Sequence, residues 1–137
     1  EARLLCNHVR ASLKENPDIN LLVVGDMNDD HSSRPMKEVL LYQDLPILHD
    51  LRPEDDSGSA WTYRGSDDSH LRIDYMLVSA GLAPEVVLEK TKVVDFPALH
   101  QASDHRPLVA TFVATERDPD SAPNLPTRQP HEFELDD

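Results

Sequence analysis

The stretch Leu21-Leu22-Val23-Val24-Gly25-Asp26-Met27-Asn28 decides how this chain folds. Four consecutive apolar residues halted by a glycine suit a short strand buried on both faces. The flanking residues fit that reading. Residues 1–16 place Leu4, Leu5, Val9 and Leu13 near helical spacing, and Asn16-Pro17 stops the pattern. Ser33 is a candidate N-cap with Pro35 in the first turn behind it, which predicts a helix running to about Tyr42. Further strands are predicted over residues 45–51, 61–63, 73–78, 86–94 and 108–113, where strand formers cluster or alternate. The order is helix, strand, helix, then mostly strands. It predicts a mixed α/β (α+β) protein with helices packed on a sheet.

The 137 residues are about one domain's worth of chain, and 39% hydrophobic residues are enough for a single modest core. Thirteen Lys and Arg against 26 Asp and Glu give a formal net charge of −13. That balance argues against a free-standing nucleic-acid binder, which needs clustered cations. It leaves room for a phosphoester reached through divalent ions, which cancel carboxylate charge locally. The single cysteine, Cys6, excludes an intrachain disulfide. No apolar run approaches the roughly 18 residues of a membrane span, and the opening residues carry no apolar signal core. Composition shifts near residue 116. Residues 116–137 hold four prolines and seven acids against two bases, so they are predicted to form a solvated acidic tail behind a folded unit of residues 1–115.

Three segments set polar groups at strand ends. In Gly25-Asp26-Met27-Asn28, Asp26 and Asn28 lie two apart and share a direction in extended backbone. A carboxylate and an amide so placed can coordinate Mg²⁺ or position a water, and they equally suit an Asx turn leading to Ser33. In Arg72-Ile73-Asp74-Tyr75-Met76-Leu77, an acid interrupts an apolar strand. Burying it costs several kcal/mol unless it is paired, so Asp74 either has an imidazole or metal partner or faces water on an edge strand. In Ser103-Asp104-His105-Arg106-Pro107, a hard oxygen donor adjoins a group that exchanges protons near neutral pH. The same residues would also serve as a polar turn before a strand.

The segments GDMN, RIDYMLVS and SDHRPLVATF, in that order, resemble the endonuclease/exonuclease/phosphatase superfamily over residues 1–114. This superfamily includes DNase I-like nucleases, abasic-site endonucleases, neutral sphingomyelinases and inositol polyphosphate 5-phosphatases. GDMN departs from the commoner GDFN, although Met can fill an aromatic's core position. The resemblance implies a DNase I-like four-layer α/β sandwich with its active site at one rim. It also implies a metal-dependent phosphoester hydrolase of phosphodiesterase or nuclease type, using Mg²⁺ or Mn²⁺. Asp26 would orient or deprotonate water, and Asn28 would hold the phosphate or a metal-bound water. Asp104 would ligate metal together with Asp26 and Asn28. His105 would contact the scissile phosphate, braced by Asp74. Family members also carry an N-terminal half with an Asn and a Glu metal ligand. The chain is therefore expected to be about the C-terminal half, inactive by itself and completed by the missing N-terminal half as its partner.

The substrate stays open among nucleotides, small phosphodiesters, single-stranded nucleic acid and phospholipid headgroups, and the compartment is not fixed. A non-catalytic interaction module and an inactive truncated fragment are the competing readings. Residues outside the three segments are expected to be structural. Asp29, Asp30 and His31 form a helix lead-in, Asp67, Asp68 and His70 a hairpin loop, and Glu54-Asp55-Asp56 a surface loop. Trp61 and Tyr63 are expected to pack in the core or rim, with base stacking the alternative. Cys6 is expected to be inert.

Overall fold

The computed structural model describes residues 2–125. The opening helix, α1 (Ala2–Glu15), buries Cys6 and Val9 and packs against α2 (Arg34–Leu40). Leu4, expected on its apolar face, is instead exposed. Ser33 caps α2 through its Oγ, which accepts the Met36 N–H at 3.3 Å, and Pro35 occupies the first turn as expected. That helix ends at Leu40, short of Tyr42. Leu41–Tyr42 is strand β2, turned back onto β3 (Leu45–Pro46) by Gln43 and Asp44, both at positive φ. Two successive left-handed residues form the tight hairpin turn that matches strand twist, and this overrides the helical pattern.

The central sheet has the order β1-β7-β4, all antiparallel, where β1 is Leu22–Asp26, β4 is His49–Asp50 and β7 is Asp74–Val78. One face of it meets the helices. Val9, Met36, Val39, Leu40, Leu48, Tyr75 and Leu77 form that core, and each such aliphatic side chain contributes about 1.5–3 kcal/mol by leaving water. The opposite face carries a second cluster of Leu51, Val78, Ala83, Val86 and Leu125.

Three hairpin-like pairs complete the fold: β2–β3, β5 (Tyr63–Arg64) with β6 (His70–Leu71), and β8 (Lys92–Val93) with β9 (Leu108–Val109). The strand predicted over 86–94 is broken. Val86 bridges Phe112, a 3₁₀ turn occupies Leu88–Lys90, and only Lys92–Val93 is extended in a ladder.

Two further expectations are corrected. Strand β1 is covered on one face only: Val23 packs on the helix-side core, whereas Leu22 and Val24 are 41% and 56% exposed. The described residues form a mixed helix-and-sheet structure, consistent with the α+β expectation, with one three-stranded sheet and three two-stranded pairs. The segment from 116 onward also begins as packed chain. The Arg117 N–H donates to Glu85 Oε1 at 3.0 Å, a 3₁₀ turn spans Pro119–Ser121, and Leu125 is buried. Residues 126–137, the rest of the expected tail, lie outside the described residues. Among the described residues no helix is long and apolar enough to cross a membrane.

Candidate active site

Sheet register builds the site. Antiparallel pairing of β1 with β7 sets Asp26 directly opposite Asp74 at the sheet's end, beyond the pair of exposed Val24 and half-buried Met76. Gly25, at φ 151°, takes the chain through a conformation that L side chains rarely adopt just before Asp26. The Asx turn foreseen for this segment is present: the Asn28 N–H donates to Asp26 Oδ1 at 2.8 Å, and Asn28 itself is left-handed at φ 51°. The Met27 N–H bonds Ile73 O at 2.8 Å, so this turn is tied to the start of β7.

The third segment comes to the same place along the β5–β6 hairpin. Tyr63 bridges His105, the Arg64 N–H donates to Asp104 O at 2.9 Å, and the Arg106 N–H donates to Thr62 O at 2.7 Å. The segment that reads as a polar turn bends at Asp104 and meets β5 through a single bridge at His105. His105 Nδ1 lies 2.9 Å from Asp74 Oδ2, with the two side chains 32% and 19% exposed. Asp74 is thus paired, as its apolar surroundings require. The Asp74 hydrogen bond holds the His105 pKa above its ordinary value. Partial burial opposes this, and the charges of Asp74, Asp26 and Asp104 add to the rise. The Tyr63 ring tilts against the imidazole at 5.0 Å.

Ligand atoms of Asp26, Asp74 and His105 all fall within 4.8 Å of one another. Two carboxylates and an imidazole so close could together hold a metal ion, and two opposed carboxylates repel unless a cation or imidazolium lies between them. The metal set expected from the resemblance was Asp104, Asp26 and Asn28. Asp104 is not in the converging trio; it lines an adjoining groove. Asn28 sits at the edge through its backbone bond to Asp26. Beside the trio opens a cavity of about 640 Å³ walled by Val24, Met76, Phe96, Leu99 and Leu108.

Several supporting residues escaped the sequence reading. Thr62 is 1% exposed, and its Oγ1 accepts the Ile73 and Asp74 N–H groups at 3.2 and 3.1 Å while its carbonyl takes Arg106. It therefore couples the strand of Asp74 to that of His105. Behind the Asp26 turn, Asp50 is 6% exposed and accepts two bonds from Arg72 Nη2 at 2.5 and 2.7 Å. The Arg72 guanidinium lies 4.4 Å from the Tyr75 ring centre, and the Tyr75 hydroxyl is 3.1 Å from the carbonyls of Asp29 and Arg72. Burial raises the Tyr75 pKa, so the phenol stays a donor. The Asp at position 50, two residues before an Arg in an apolar run, was the available signal. Nothing local, however, marks Arg72 as its partner.

No curated protein and no solved structure matches the chain. The model of the Endonuclease/Exonuclease/phosphatase family matches residues 1–105, which include all three polar segments up to His105. On that match, the chain belongs to the endonuclease/exonuclease/phosphatase family.

Proposed function

We propose that this chain supplies part of the active site of a divalent-metal-dependent phosphoester hydrolase. The observation carrying the reading is the convergence of Asp26, Asp74 and His105, with His105 Nδ1 on Asp74. Opposed acids weaken a sheet, because like charges directly across two strands repel. Their placement at a strand end beside an imidazole fits chemistry on an anionic substrate.

Asp74 orients the imidazole and favours its Nδ1–H tautomer, which leaves Nε2 to contact the phosphate. The raised pKa keeps more of His105 in the cationic, proton-donating form near neutrality. Asp26 accepts a hydrogen bond from, or deprotonates, the attacking water, and Asn28 holds a phosphate oxygen. Asp26 of the converging trio, with Asp104 and Asn28 as the further ligands that the family resemblance implies, would hold Mg²⁺ or Mn²⁺, which would supply charge neutralisation of the phosphoester and its transition state.

The proposal includes a partner. An N-terminal half of the domain covers the exposed Leu22 and Val24, adding the remaining ligands.

The test is complementation. Mixed with Mg²⁺ alone, the chain is expected to leave bis(p-nitrophenyl) phosphate intact; with the complementing half present, turnover appears. His105→Ala and Asp26→Asn each lower that turnover by about 10²-fold or more, the scale of a lost proton-transfer group, while Asp29→Ala leaves it near wild type. Full activity in the His105→Ala protein would overturn the reading.

A further inference from the structure

We infer that the groove beside Asp104 is a binding site for the flat ring of a nucleoside, which would make the phosphoester substrate a nucleotide. The inference rests on the proposed hydrolase reading for the phosphate's position; ring binding stands on separate residues. The groove has a volume of about 390 Å³ and runs between the β5–β6 hairpin and residues 95–103, with Asp104 on its lining. That volume is in the range of small-ligand sites, roughly 300–1,000 Å³.

One wall is a ready-made pile of planar groups. The Arg106 guanidinium, 3% exposed as a residue, lies 3.9 Å from the Trp61 ring centre. His70 stacks on Trp61 with centroids 4.3 Å apart and planes 13° from parallel. Two groups this close over one indole must occupy opposite faces, so Trp61 is covered on both sides and is not itself a platform. The pile ends in His70, which is exposed, and Phe96, 47% exposed, lines the same groove. An aromatic base extends such a pile, since every base has a face to stack.

Charge narrows the ligand further. Arg64 is engaged by Asp68 at 2.6 Å from Nε and 2.5 Å from Nη2. Arg106 is engaged by Asp55 and, at 3.5 Å, by Asp95. With both guanidiniums of the groove committed and Asp68, Asp95 and Asp104 around it, a second phosphate finds no uncommitted guanidinium there. A neutral ring suffers no such mismatch. A base in the groove would set its own phosphate toward Asp104 and His105.

Trp61 is the only tryptophan, so its fluorescence reports on the pile directly. The 137-residue chain is titrated with adenosine, AMP and ribose 5-phosphate, and affinities are confirmed by equilibrium dialysis. Adenosine and AMP are expected to change the Trp61 signal saturably, and ribose 5-phosphate is not. His70→Ala and Phe96→Ala each weaken adenosine binding at least fivefold, within the roughly five- to hundredfold that stacking of one base contributes. Asp26→Asn leaves adenosine binding unchanged. Absence of saturable adenosine binding, or equal affinity in wild type and both groove variants, would overturn the inference. Hydrolysis of dimethyl phosphate, which has no ring, by the complemented protein is the separate check on the hydrolase reading. Either result can therefore fail without the other.

Discussion

Asp26 faces Asp74 across two paired strands, and only one of the two carboxylates has an imidazole against it. A like-charged pair directly opposite is destabilising by a few tenths to about 1 kcal/mol. Asp26→Asn is therefore expected to raise the urea midpoint modestly while abolishing complemented turnover; a lower midpoint would mean that Asp26 serves the fold. The buried Asp50–Arg72 pair behaves oppositely. Asp50→Ala strands a guanidinium that is 15% exposed, at a cost of about 3–5 kcal/mol, and the loss should show in the same urea titration. Asp55 gives the pH-dependent case. The Ser57 hydroxyl and Ser59 amide, with Arg106, hold its carboxyl well below the ordinary 3.8. A depressed folded value means that this stabilisation is complete above about 3.8, where the unfolded chain titrates, and is lost as pH falls further. Asp55→Asn should thus destabilise at pH 7 and flatten the fall in melting temperature between pH 4 and pH 2, each set of values being about the range of carboxylate titration. An unchanged acid limb would remove Asp55 from the account.

At the scale of elements, what was legible in the sequence depended on local chemistry. Ser33, Pro35 and the 3.6-residue spacing of α1 act within a few residues of themselves, and these features appear where expected. The end of α2 was not legible, because the competing signal is a turn at Gln43-Asp44 that carries no glycine. Left-handed backbone costs non-glycine residues about 1–2 kcal/mol each, so replacing Gln43-Asp44 with Asn-Gly should stabilise the protein by about 1–2 kcal/mol in a urea titration. A null or negative change would show the turn to be held by contacts of the original side chains. The candidate site was legible as three polar segments, since Asp74 could not stay buried unpaired. Its support was not: Thr62, Asp50 and Arg106 act across 12 to 51 residues of chain, and no local pattern encodes such a partner.

For the whole molecule, the run Leu21-Leu22-Val23-Val24 reads as a strand covered on both faces, yet burial is conferred by whatever layer lies above, and on that face of β1 Leu22 and Val24 stay 41% and 56% exposed. Exposed Leu22 and Val24, with the apolar cavity that Val24 lines, form a patch that favours association. The net charge of −13 opposes it. Which effect wins is set by salt: screening acts over about 10 Å at 0.1 M but about 3 Å at 1 M, so repulsion between copies fades while apolar contact does not. The chain alone should therefore sediment as a monomer at low salt and self-associate as salt rises. In the Leu22→Thr/Val24→Thr variant it should stay monomeric throughout. Because Val24 is more than half exposed, the Val24→Thr change alone should move the unfolding free energy by no more than about 0.5 kcal/mol. The double variant should also lose complementation by an N-terminal half. Salt-driven association that persists in the double variant would place the sticky surface elsewhere and remove the main support for a covering partner on β1.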